Sequence, residues 1–114
     1  MSLDNSVILI TSNGMGHGPE DLQLTLIGKY LSLLPQNGTL PAVICFYTDG
    51  VRLVVEGSSV LEQLTALEKA GVRLIVCSTC LNAFGLTDKV KVGIVGSMAD
   101  ILEAQVRAEK VITL

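Results

Sequence analysis

The chain alternates between short unbroken apolar runs and longer stretches in which apolar residues recur at helical spacing. Val7-Ile8-Leu9-Ile10 is the first such run. Apolar on both faces of the pleat, it predicts a strand buried on both sides, as strands of parallel sheets are. Further strands are predicted at Leu40 to Tyr47, Val72 to Val76 and Val90 to Val95, with a short last one at Lys110-Val111-Ile112-Thr113-Leu114. After the first strand, Leu22, Leu26, Ile27, Tyr30, Leu31 and Leu34 make a wide apolar helix face. Pro19 suits its first position, Glu20 and Asp21 its first turn, and Pro35, Asn37 and Gly38 stop it. Ser59-Val60-Leu61-Glu62 has the form of a capping box, opening a helix that buries Val60, Leu61, Leu64 and Leu67 and ends at a left-handed Gly71. Leu81, Phe84 and Leu86 suggest a short helix interrupted at Gly85. Ser97 caps the last helix, with Asp100 in its first turn and Met98, Ile101, Leu102 and Val106 facing inward. Thr48-Asp49-Gly50 ends the second strand with turn residues, and Val51 to Val55 is too short to assign between strand and helical turn.

This alternation implies a three-layer α/β/α sandwich around a five-stranded parallel sheet, with residues 1–114 forming a single domain. No internal repeat, low-complexity tract or linker interrupts it. In such sheets ligands bind at the carboxyl ends of the strands. Three loops meet there: residues 13–18, 48–58 and 77–85.

Composition narrows the function. The chain is 49% hydrophobic, yet its longest apolar runs, such as Ala42-Val43-Ile44-Cys45-Phe46-Tyr47, fall far short of the roughly 18 residues of a membrane span. Buried strands and a subunit interface account for such excess, so a homo-oligomer is expected. No signal peptide is visible. A net charge of −3 without a Lys/Arg cluster excludes a nucleic-acid surface. Three cysteines in such a chain fit a reducing cytoplasm, and Cys45 and His17 are too isolated to complete a zinc site with a C-x-x-C pair. No metal or cofactor is expected. Glycines 14, 16 and 18 match neither dinucleotide nor nucleotide phosphate-loop spacing, leaving a flexible turn or a loop whose amides close over a neighbouring site.

The sharpest chemical signal is Val76-Cys77-Ser78-Thr79-Cys80-Leu81. A thiol at a strand-to-helix junction is ionised cheaply, because helix N-terminal amides favour an anion. Two thiols at this spacing can form a disulfide, act as nucleophile and resolving group, or simply pack. The position after the third strand and the Ser78-Thr79 insert disfavour a thioredoxin. His17 is the one histidine, either a general base for Cys77 or a solvated loop residue. Asn13, Gly14, Gly16 and His17 on one side and Asp49, Gly50 and Arg52 on the other frame the pocket, with Thr79 between the thiols and Arg52 as the nearby cation. Cys45, inside a strand, reads as a small inert hydrophobe.

These residues resemble the DsrE/DsrF-like sulfur-relay family, closest to the DsrE-like domain of selenium-metabolism, sulfurtransferase-like proteins. The specific parts are Gly50-Val51-x-Leu53 followed by Glu56-Gly57-Ser58, Cys77-x-Thr79-Cys80-Leu81, and Gly85 eight residues after Cys77. The resemblance implies a strand order 4-3-2-1-5 and a persulfide carried on the position matching Cys77. It also implies assembly as a homotrimer or hexamer, and a small sulfur-carrier protein as partner. Cys80, absent from single-cysteine carriers, is expected to resolve the persulfide by forming a disulfide and expelling sulfide. The rival expectation is a non-enzymatic redox or small-molecule-sensing oligomeric module that uses the same Cys77/Cys80 pair.

Overall fold

A computed structural model describes residues 3–114. Its sheet comprises β1 (Ser6–Ile10), β2 (Val43–Phe46), β3 (Arg73–Cys77), β4 (Ile94–Gly96) and β5 (Lys110–Thr113). All pairings are parallel and the order is β4-β3-β2-β1-β5, as the resemblance implied. The helices are α1 (Glu20–Gln36), α2 (Leu61–Lys69), α3 (Ser78–Phe84) and α4 (Met98–Arg107). A 3-10 helix, Thr48–Val54, leaves the end of β2, and a second, Thr87–Lys89, follows α3.

Every residue of β1 and β2 is buried, as are Leu74 to Cys77 of β3. Unbroken apolar runs satisfy two covered faces at once. The observed β2 is shorter than the predicted Leu40–Tyr47 because the main chain joins the ladder only from Val43. Likewise β4 starts at Ile94. Val90 instead makes an isolated antiparallel bridge with Val55, flanked by Glu56 N–H to Lys89 O (2.9 Å) and Lys91 N–H to Val54 O (2.8 Å).

Three helices end in the same glycine device. In α2 the N–H of Gly71 (φ 103°) bonds Glu68 O while that of Val72 bonds Leu67 O, both at 3.1 Å. Gly38 and Thr39 close α1 in this way, and Gly85 and Leu86 close α3. The left-handed residue lets the chain turn back onto the last carbonyls. Pro35 lies inside the last turn of α1, which runs on to Gln36.

Two expectations at helix starts part company. Ser97 and Asp100 form the full capping box of α4, with Ser97 N–H donating to Asp100 Oδ2 at 2.8 Å. Those bonds hold the exposed Asp100 carboxyl below its ordinary range. The box predicted at Ser59 and Glu62 is absent: α2 begins one residue later, with Val60 at its N-cap and no side-chain cap. Ser58 Oγ accepts the Val60 N–H instead (3.2 Å), so the turn before the helix uses the hydroxyl.

The inward face of α4 also needs correction. Ile101 and Ala104 are buried, whereas Met98, Leu102 and Val106 are exposed, Val106 by 75%. Ile94 and Val95 of the edge strand β4 are exposed as well. On α1, Ile27, Leu31 and Leu34 enter the core while Leu22 and Leu26 stay outside. Among the described residues no helix is long and apolar enough to cross a membrane.

Candidate functional site

β3 delivers Cys77 to the carboxyl end of the sheet, and the chain turns there directly into α3. Cys77 is the N-cap of that helix, but its side chain makes no capping hydrogen bond. It lies in the core, 1% exposed, between elements that cover both faces of β3. The helix-amide stabilisation expected from sequence is therefore not made to its sulfur.

Cys80, within the first turn of α3, is half-buried, and both thiols are free. Its Sγ accepts a hydrogen bond from the backbone N–H of Thr48 at 3.0 Å. Burial pushes the Cys80 thiol above its ordinary pKa, the Thr48 N–H pulls it back down, and the neighbouring Cys77 pushes it up again. Adjacency raises the pKa because a second thiol beside the first disfavours its thiolate. The pair is thus a reduced dithiol with one member at the surface and one behind it.

Thr48 is the residue that sequence reading treated only as a turn former. Its backbone is left-handed, φ 48°, a conformation that costs a β-branched residue about 1–3 kcal/mol unless its surroundings hold it. They do so twice over. The Thr48 hydroxyl stands 2.7 Å from both Thr11 O and Tyr47 O, linking the ends of β1 and β2. Gly50 then lets the 3-10 helix lie against β1: a side chain there would overlap the carbonyl of Ile10. Together these contacts aim the Thr48 N–H at Cys80. The available sequence signal was the Thr48-Asp49-Gly50 turn, which marks a bend without saying where its amide points.

The other predicted residues take quieter places. Arg52 pairs with Asp49 at 3.1 Å and stacks 4.3 Å from the Phe84 ring centre, tying the 3-10 helix to the far end of α3. Both partners are well exposed, so the contact is worth no more than about 1 kcal/mol. Gly14 is buried, and a Cβ there would press on Gln23 of α1; its loop is pinned by Met15 N–H to Gln23 O (3.0 Å). Gly16 is open to solvent with φ 76°. His17 and Thr79 are exposed, and among the described residues no hydrogen bond joins His17 to either thiol. Asn13 and Arg52 line a cleft of about 360 Å³ with Glu20, Glu56 and Leu86, and neither cysteine of the pair borders it. Cys45 is wholly buried in β2, and burial pushes its thiol up to about 11 against the pull of Arg73.

The site therefore offers a surface thiol under a fixed N–H donor and a second thiol behind it. Such an arrangement supports thiol–disulfide or thiol–persulfide exchange.

Comparison with known proteins agrees with the fold and its extent. The chain is similar to the ychN protein of E. coli, with 25% identity, a TM-score of 0.64, and 94% of this chain and 97% of that one covered. It shares its fold with MTH1491 of Methanobacterium thermoautotrophicum, a protein of unknown function (22% identity, TM-score 0.68, 97% and 100% covered). BT1422 of Bacteroides thetaiotaomicron, also of unknown function, has the same fold (16% identity, TM-score 0.68, 96% and 95% covered). No curated protein matches the chain significantly. The model of the DsrE/DsrF-like family matches residues 6–114, which spans β1 to the last residue and includes both thiols of the pair: the chain belongs to the DsrE/DsrF-like family.

Proposed function

We propose that the protein is a sulfur-relay carrier that holds sulfane sulfur as a persulfide on Cys77, with Cys80 as the thiol that releases or resolves it. The observation that carries the reading is the free dithiol at the carboxyl edge of β3, one thiol sheltered and the other at the surface. A persulfide is easily reduced, and a buried position protects it until the neighbouring thiol acts. Attack of Cys80 on the inner sulfur of the Cys77 persulfide forms the Cys77–Cys80 disulfide and expels hydrosulfide. Attack on the outer sulfur moves the sulfane atom to Cys80 and regenerates the Cys77 thiolate. The resemblance of the motifs around Gly50 and Cys77 to the selenium-metabolism, sulfurtransferase-like branch supports this reading. A cytoplasmic homo-oligomer that passes sulfur to a small carrier protein completes the proposal. The exposed apolar residues of α4 and the edge strand, Met98, Leu102 and Val106 with Ile94 and Val95, support the oligomer.

The test is mass spectrometry of the reduced protein after exposure to a sulfane-sulfur donor, reading residues 74–89. Wild type gains one transferable sulfur there. Fragment ions that put this sulfur on Cys80 rather than Cys77 in the loaded wild type refute storage on Cys77. The same thiol adjacency favours a second reading, a redox-sensing module: loss of two hydrogens with no sulfur gained, accompanied by a change in assembly, is its signature.

A further inference from the structure

The carrier reading leaves open which thiol meets the donor. Cys77, 1% exposed, is out of reach of an incoming persulfide unless the site opens locally. Cys80 is half-buried at the surface, and its sulfur already faces the Thr48 N–H. That N–H is not incidental to the fold. The left-handed Thr48 backbone, the two contacts of its hydroxyl and the close approach permitted by Gly50 all act to hold it in place. A donor aimed at sulfur stabilises whatever negative charge sits there, whether on an attacking or a departing thiolate.

We propose that Cys80 is the receiving thiol and Cys77 the store, with sulfane sulfur entering under the Thr48 N–H and passing inward. This rests on the carrier reading and assigns the order of events within it. In the first step the Cys80 thiolate attacks the terminal sulfur of a donor persulfide, R–S–SH. A new S–S bond forms on Cys80, the donor S–S bond breaks, and R–S⁻ leaves with the bonding pair to take up the proton that Cys80 gave to solvent. In the second step the Cys77 thiolate attacks the terminal sulfur of the Cys80 persulfide. The Cys80 S–S bond breaks and Cys80 departs as a thiolate onto the Thr48 N–H. The sulfane atom keeps its oxidation state throughout, so no outside oxidant or reductant is required. Thr48 is a positioning residue, acting through Cys80.

Rapid-quench mass spectrometry with glutathione persulfide, reading residues 74–89 over time, tests the order. In Cys80→Ser, sulfur arrives on Cys77 about a hundredfold more slowly than in wild type, since a buried thiol must then wait for local opening. In Cys77→Ser, Cys80 still receives sulfur but cannot pass it inward, so the sulfur stays on Cys80. Wild-type loading of Cys77 in Cys80→Ser overturns the order while leaving the carrier reading intact; no sulfur gained by wild type sinks both. Bulky maleimide labelling of the native wild type gives an answer that needs no variant. Cys80 reacts first if the assignment holds, and earlier labelling of Cys77 overturns it. For Thr48, the pH profile of Cys80 alkylation moves to higher pH in Thr48→Val and is restored in Thr48→Ser, which keeps the hydroxyl. An unmoved profile in Thr48→Val removes Thr48 from the mechanism.

Discussion

Substituting Gly50 by alanine tests how the fold holds the site. The Gly50 N–H bonds Tyr47 O at 3.0 Å, fixing the first turn of the 3-10 helix. A Cβ at this position overlaps the Ile10 carbonyl oxygen, comes within 2.7 Å of its carbon and lies 3.3 Å from Thr11 N. None of these atoms can swing aside. They are backbone at the end of a fully buried strand, and Ile10 O already accepts the Tyr47 N–H at 3.2 Å. The 3-10 helix must therefore move away from β1, at an overpacking cost of about 1–3 kcal/mol. The shift also breaks the Thr48 hydroxyl bond to Thr11 O, about 1 kcal/mol more. The sum is about 2–4 kcal/mol.

At roughly 4 °C per kcal/mol for a domain of this size, the melting temperature of Gly50→Ala falls by about 8–16 °C. Gly57→Ala is the internal control. Gly57 has φ 90°, and a Cβ added there would meet nothing within 4 Å, so it carries only the backbone penalty, about 1–2 kcal/mol. Differential scanning calorimetry on the two variants separates clash from strain. Equal losses in both would refute the claim that close approach to β1, rather than local flexibility, is what Gly50 provides. Cys80 alkylation supplies the link to the site, because displacement of the Thr48 N–H moves the alkylation profile of Gly50→Ala to higher pH while Gly57→Ala keeps that of wild type.

Three further outcomes are expected. Cys45 has its folded pKa raised from 9.0 to about 11, so its contribution is fully present below pH 9 and is lost as pH rises towards 11. The loss amounts to about 3 kcal/mol, and the pH dependence of urea denaturation across that range is correspondingly flatter in Cys45→Ala. Ser97→Ala loses a formed capping box and costs about 1 kcal/mol in urea denaturation, whereas Ser59→Ala, whose box is not formed, stays within about 0.5 kcal/mol of wild type. Leu102, 58% exposed, tolerates Lys with little change in protomer stability, while light scattering shows the proposed oligomer shifted towards monomer; an unchanged mass places the interface elsewhere.

Much of the fold was legible because its strands are covered on both faces. Such strands must be apolar at consecutive positions, and Val7–Ile10, Val43–Phe46 and Leu74–Val76 stand out for that reason. Edge strand β4 was less well bounded: Val90 to Val95 has the right composition, but only Ile94 to Gly96 reach the ladder. On α4, apolar residues at helical spacing did mark a face. The spacing of Met98, Leu102 and Val106 does not say whether that face meets the sheet or solvent, and here Ile101 and Ala104 meet the sheet. The capping-box pattern was right at Ser97 and wrong at Ser59, since a four-residue pattern does not record whether an adjacent Ser58 takes the turn first.

The candidate site divides along the same physical line. A C-x-x-C pair at the end of an apolar run locates the chemistry, because side-chain identity and strand polarity are both written in sequence. Ranking the two thiols is another matter, since it depends on burial and on where backbone donors point. Cys77 holds the N-cap, yet its sulfur receives no cap bond. The amide that faces sulfur comes instead from Thr48, thirty-two residues before Cys80 in the chain. Its direction is set by contacts with β1 that appear only once the sheet is assembled. A backbone N–H carries no residue-type signature, so a thiol partnered by one cannot be distinguished by pattern from a thiol without one. Where such an amide decides which sulfur reacts, the reactive residue is a property of the folded sheet edge as much as of the cysteine.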